Sequence, residues 1–135
     1  MIPVKRIKVL IVDDSATMRC IVRKVLEASH FPVDLAEAQD GAAAIEQINS
    51  GKFDLIFLDV DMPNINGFEL CAKLRAMSQH RKTPVVFVTS LNDFESRASS
   101  TMAGGNDFIG KPFLFIELTV KALIHVMRNR LRPPT

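Results

Sequence analysis

Four apolar runs along the chain each lead to a polar residue: VLIV before Asp13-Asp14, LIFL before Asp59, VVFV before Thr89, and DFIG before Lys111. Apolar runs this short, separated by stretches with helical spacing, predict buried strands of a parallel sheet. The first strand is expected at about Lys8–Val12. A helix from Ser15 follows, with Met18, Ile21, Val22, Val25 and Leu26 on one face and Arg19, Arg23, Lys24 and Glu27 toward water. Pro32 breaks the chain, and Val33–Ala38 alternates as a half-exposed edge strand does. Asp40 is an N-cap for an Ala-rich helix ending near Asn49, and Gly51 stops it. Leu55–Leu58 is the third strand. Asn66, three positions before Glu69, opens another helix with Leu70, Cys71, Leu74 and Met77 as its apolar stripe. Val85–Val88 and a short Asp107–Ile109 complete the strands. The last helix is predicted from about Leu114 to Arg130, with Ile116, Val120, Leu123, Ile124 and Met127 on its core face.

The same pattern orders the sheet. Runs one, three and four are apolar throughout and call for helices on both faces, whereas runs two and five suit edges. The order 2-1-3-4-5 satisfies this with right-handed crossovers, giving an α/β, flavodoxin-like doubly wound fold. It also sets the ends of strands one and three side by side at the topological switch point, bringing Asp13, Asp14 and Asp59 together. One segment is out of character. A helix is expected between Asn92 and Ala103, yet SRASSTMAGG is rich in Ser, Thr and Gly and has poor helix propensity. It reads either as a frayed surface helix or as an element kept marginal so that it can shift.

The length of 135 residues fits one domain, with a core at about 5–130 and residues 131–135 as a tail or the start of a linker. A net charge of +2 argues for neither nucleic acid nor a membrane surface. Cys20 and Cys71 fall among apolar neighbours without metal-site spacing, so both are expected as buried small hydrophobes. His30, His80 and His125 lie outside any ligand spacing and are expected at the surface or the core edge. The opening MIPVKRIKVL has no signal-peptide cleavage site, and no apolar run approaches membrane-spanning length; a cytoplasmic location is expected.

The converging residues make a coherent chemical set. Mg²⁺ prefers oxygen ligands and takes one or two carboxylates together with phosphate oxygens; Asp14 and Asp59, with Asp13 directly or through water, could supply them. Without a cation the clustered carboxylates repel and raise one another's pKa. Taken singly, Asp13-Asp14 could be a helix cap and Asp59 a turn residue ahead of Pro63-Asn64. Both ending central strands is harder to ascribe to chance. A carboxylate can attack phosphorus, and the charge that spreads over the phosphoryl oxygens needs a cation, an ammonium such as Lys111 and a hydroxyl such as Thr89. Lys111 stands before Pro112, which fixes the turn and can support a cis bond.

The motifs IVDDS, LIFLDVDMPNINGFEL, FVTS and GGNDFIGKPF resemble those of the receiver domain of bacterial response regulators, over about Lys5 to Arg130. The resemblance implies Asp59 as phosphoacceptor and Mg²⁺ (with Mn²⁺ as a substitute) held by Asp13, Asp14, Asp59 and the backbone carbonyl of Asp61. It implies that Thr89 and Lys111 contact the phosphoryl group and that Phe108 is the switch aromatic, here without the hydroxyl of the Tyr frequent at that place. It further implies a sensor histidine kinase or histidine phosphotransfer protein as donor, an unidentified target or output domain, and a phosphorylation-dependent homodimer as one possible outcome. Neither nucleic acid nor membrane is expected to contact this domain. Apolar Leu91, two positions after Thr89, is expected to orient no attacking water and so to favour slow loss of the phosphoryl group.

Two other readings compete. Asp59-Val60-Asp61 resembles the DxD pair of haloacid-dehalogenase phosphatases, but those enzymes place DxD on the first strand and need a substrate-covering cap for which this chain has no segment. A phosphorylation-independent interaction module is the other, against which the intact acidic set, Thr89 and Lys111 argue.

Overall fold

A computed structural model describes residues 5–90 and 94–131. The elements alternate: β1 (Ile7–Val12), α1 (Ala16–Ala28), β2 (Val33–Ala38), α2 (Gly41–Ser50), β3 (Leu55–Leu58), α3 (Gly67–Ala76), a 3₁₀ turn (Ser78–His80), β4 (Val85–Thr89), α4 (Phe94–Met102), β5 (Asp107–Gly110) and α5 (Phe115–Arg130). The strands form one parallel sheet in the order β2-β1-β3-β4-β5, the flavodoxin-like order expected. Alternate residues of each strand point to opposite faces, so the apolar runs feed two cores. Leu10, Val12, Ile56, Leu58, Val85 and Phe87 pack with α2 and α3 on one face. Val9, Ile11, Leu55, Phe57, Val86 and Val88 pack with α1 and α5 on the other.

Local chemistry fixes where the helices begin. The Ser15 side chain accepts from the Met18 N–H, Asp40 from Ala43 and Asn66 from Glu69; each such cap contributes about 1 kcal/mol. Gly67 opens α3 against the end of β3. A Cβ there would collide with the Asp59 carbonyl and Val60 Cα, and the Gly67 N–H instead donates to Val60 O at 2.9 Å. Arg75, near the end of α3, donates to the carbonyls of Gly104 (2.9 Å), His80 (2.9 Å) and Thr83 (2.7 Å) and to Asn106 Oδ1 (2.9 Å). It thereby ties α3 to the turn that leaves α4.

Several side chains sit elsewhere than their spacing implies. On α5 the buried residues are Leu118, Ala122, His125 and Val126, while Ile116, Val120, Ile124 and Met127 are exposed by 43–67%. This helix carries two apolar stripes, and the polar partners decide which one docks. His125 Nε2 meets Asp107 Oδ2 of β5 at 2.8 Å, and Lys121 Nζ donates to Phe108 O at 3.0 Å. Cys20 is exposed and Cys71 buried; Cys20 lies on the outer side of α1, away from Val22, Val25 and Leu26. His80 is fully buried, bonded to Thr83 Oγ1 at 3.0 Å, and only His30 of the three histidines is exposed. Arg19 and Arg23 do not simply face water. Both reach the Glu37 carboxylate on β2, at 2.9 and 2.8 Å.

Candidate functional site

Parallel register places the site. Val12 pairs with Leu58, so the residues that follow, Asp13 and Asp59, emerge side by side at the carboxyl edge, with the Asp59 N–H donating to Val12 O at 2.9 Å. Thr89 pairs with Gly110, and the Lys111 N–H donates to Thr89 O at 2.9 Å. The Lys111–Pro112 bond is cis. Carboxylate oxygens of Asp13, Asp14 and Asp59 lie within 4.8 Å of one another. Asp13 and Asp59 are buried, Asp14 exposed. Lys111 Nζ donates to Asp13 Oδ2 at 2.7 Å and stands 3.6 Å from Asp59 Oδ2. The Thr89 hydroxyl and the Asp61 backbone N–H bond to the Asp59 carboxylate. The residues picked out in the sequence at separate strand ends thus share one crevice.

The electrostatics are unbalanced in an informative way. Burial pushes the Asp59 pKa above the usual carboxylate value, and the neighbouring Asp13 charge adds to this. Lys111, the Thr89 hydroxyl and the Asp61 N–H pull the other way without restoring the balance. One ammonium cannot neutralise three carboxylates, two of which have little water around them. The donor set is all hard oxygen and open on the Asp14 side, which fits a small divalent cation.

Two supporting residues escaped the sequence reading. Arg19 Nη1 donates to the Asp13 backbone carbonyl at 2.6 Å while its Nε holds Glu37, locking the turn that presents Asp13 and Asp14. Arg97 of α4 lies with its guanidinium 5.0 Å from the centre of the Phe108 ring, over a side chain that is itself buried. Neither contact leaves a local signal, because each partner lies on another element. Asp61 is exposed. Leu91 lies outside the described residues.

The profile of the response regulator receiver domain matches residues 9–123. The chain belongs to this family. This receiver domain is 37% identical over 119 residues to the transcriptional regulatory protein ResD of Bacillus subtilis, covering 87% of the present chain and 48% of ResD. It is 37% identical over 106 residues to the chemotaxis protein CheY of Pseudomonas aeruginosa, covering 78% of the chain and 85% of CheY. Among solved structures, the receiver domain of the Francisella response regulator 1452 superposes with a TM-score of 0.82 at 30% identity, covering 90% of this chain and 98% of that one. The chain spans about half the length of ResD and of two further regulators, ArlR of Staphylococcus saprophyticus and SpaR of Bacillus subtilis. It is therefore a receiver domain of two-component response regulators, a signalling fold rather than a conventional enzyme.

Proposed function

We propose that this receiver domain accepts a phosphoryl group on Asp59 from the phosphohistidine of a sensor histidine kinase or histidine phosphotransfer protein. An Asp59 carboxylate oxygen attacks phosphorus, the O–P bond forms as the N–P bond of the donor breaks, and the imidazole departs with the bonding electron pair. Asp13, Asp14, Asp59 and the backbone carbonyl of Asp61 would hold Mg²⁺, or Mn²⁺ in its place. Bound there, the ion offsets the carboxylate charge and the negative charge of the phosphoryl oxygens. Lys111, already 3.6 Å from Asp59, binds a second phosphoryl oxygen, and the Thr89 hydroxyl donates to a third. The observation that carries this reading is the meeting of Asp13, Asp14 and Asp59 with Lys111 in one crevice.

The output follows from the same residues. Thr89, already bonded to the Asp59 carboxylate, and the buried Phe108 would be held in these positions by a phosphoryl group, so that α4, β5 and α5 present a different face to a target, an output domain or a second copy of the chain than they do without it. Driving such a switch from mostly off to mostly on takes roughly 5.5 kcal/mol of differential stabilisation. The module is read as one domain across residues 5–130, acting in the cytoplasm without contacting nucleic acid itself. No helix among the described residues is long and apolar enough to cross a membrane.

The test is phosphorylation with a small acyl phosphate and Mg²⁺, followed by mass mapping. One phosphoryl group on Asp59, lost with a chelator or with Asp59→Asn, is expected. Catalytic turnover of a phosphomonoester, or a label on another residue, would overturn the assignment.

A further inference from the structure

The strands are parallel, so the segments that precede them gather at the edge of the sheet farthest from Asp59. There Lys5, the Lys52–Asp54 segment before β3, the Ser78–Thr83 stretch before β4 and the end of α5 surround a polar cleft of about 510 Å³. Lys5, Lys52, Arg81, Lys82 and Arg130 line it against a single acid, Asp54. That acid is already engaged, accepting from the Lys8 N–H at 2.9 Å and meeting Arg130 Nη2 at 3.5 Å. Among the described residues, Lys5, Lys52, Arg81 and Lys82 have no carboxylate within 4.0 Å. Elsewhere Arg6 is paired with Asp34, Arg19 and Arg23 with Glu37, Lys111 with Asp13 and Lys121 with Asp107, while Lys8, Lys24, Lys73, Arg75 and Arg128 also lack a carboxylate partner but do not line this cleft. What sets the cleft apart is that four cations without carboxylate partners face one concavity, assembled from four distant parts of the chain.

We propose that this cleft is a second binding site, for a small oligophosphate. Like charges around a concave surface repel one another, and a multivalent anion seated among them relieves that repulsion where scattered counterions do so less well. The guanidinium fork of Arg81 suits phosphate oxygens two at a time and the lysines add point charges, while Arg130 is committed to the Lys5 and Arg6 carbonyls and to Asp54 and contributes its charge to the wall. Ser78 and Asn129 contribute neutral polar groups, and Phe53 an apolar wall. The volume falls within the range of small-molecule sites. Long-range electrostatics direct an anion to this end, because the opposite edge presents Asp13, Asp14, Asp59 and Asp61. The chemistry is shared by inorganic polyphosphate and by the phosphate chain of a nucleotide.

Calorimetric titration of the whole chain at low ionic strength, with inorganic tripolyphosphate and separately with a nucleoside triphosphate, tests the site. Saturable binding of at least one probe is expected, weakened about tenfold or more in Lys52→Gln/Arg81→Gln. Phosphorylation of Asp59 should persist in that variant, showing that it is folded and that the two sites are separate. A nucleotide bound at least about tenfold more tightly than tripolyphosphate identifies nucleotides as the source, and similar affinities identify inorganic oligophosphate. The proposal is overturned if neither probe saturates, if the double variant binds as the parent does, or if a short polyglutamate binds as tightly as tripolyphosphate.

Discussion

Asp59 and Glu37 are both carboxylates on the sheet with cations beside them, yet their protonation is pushed in opposite directions. Burial raises the Glu37 pKa, but the hydrogen bonds and charges of Arg23 and Arg19 more than offset it, and the net shift is downward. Burial raises Asp59 as well, and there Lys111 fails to reverse it because Asp13 adds repulsion and takes the ammonium at 2.7 Å. Glu37 is supplied with two guanidiniums by the adjacent helix and is electrostatically complete. Asp59 is left short of positive charge by the fold itself. A carboxylate that only holds structure brings its counter-charges with it, whereas one kept in deficit is suited to taking up a cation.

The deficit can be probed from its largest consequence downward. Replacing Asp59 by Asn should abolish phosphoryl incorporation, read by mass spectrometry, while Glu37→Gln should leave it in place. Saturating Mg²⁺ should stabilise the parent domain against urea by about 2.7 kcal/mol at a hundredfold excess over Kd. The same addition should do little for Asp59→Asn; equal stabilisation of both would place the ion elsewhere.

Without metal, Asp59→Asn should itself be stabilising at neutral pH, by about 1 kcal/mol, because it removes a buried charge crowded by Asp13. The sign follows from the raised pKa. The stability linked to protonating Asp59 is fully present below the unfolded value of 3.8 and is lost as pH rises through the higher folded value. The advantage of the variant should therefore shrink toward zero in acid, which urea titrations at several pH values in chelator would reveal. Glu37→Gln is the mirror image and the smallest effect. Its lowered pKa means stability present above the unfolded value of 4.5 and lost as pH falls through the folded one. With a third of the side chain open to solvent, the loss at neutral pH should be only about 0.5 kcal/mol. A larger loss than the Asp59→Asn gain would break the contrast.

Strand ends were the most legible part of the chain. A run as short as LIFL, set between helical patterns, points to a central strand, and once the order is set, parallel register brings Asp13, Asp59, Thr89 and Lys111 to one edge without further information. Helix faces were less so. On α5, residues spaced by four gave two equally regular stripes, and the choice rested on Asp107 and the Phe108 carbonyl, which lie on another element. The buried histidines were hidden for the same reason. His80 is satisfied by Thr83 and by the distant Ile48 carbonyl, and no spacing within the chain announces a partner on α2. Arg19 and Arg23 looked solvated because the acid that claims them sits on β2.

Arg75 turns these packing details into mechanics. By gripping Gly104 and Asn106 it bolts the exit of α4 to the α3 layer, while along residues 95–102 of α4 only Ser100 is buried. The helix is thus coupled at two points, to the α3 layer through Arg75 at its exit and to β5 through Arg97 over the Phe108 ring. A shift of Phe108 would be handed to α4 through Arg97 while Arg75 keeps the exit of the helix in place, and that bolt is a guanidinium held by carbonyl and amide oxygens rather than by a carboxylate.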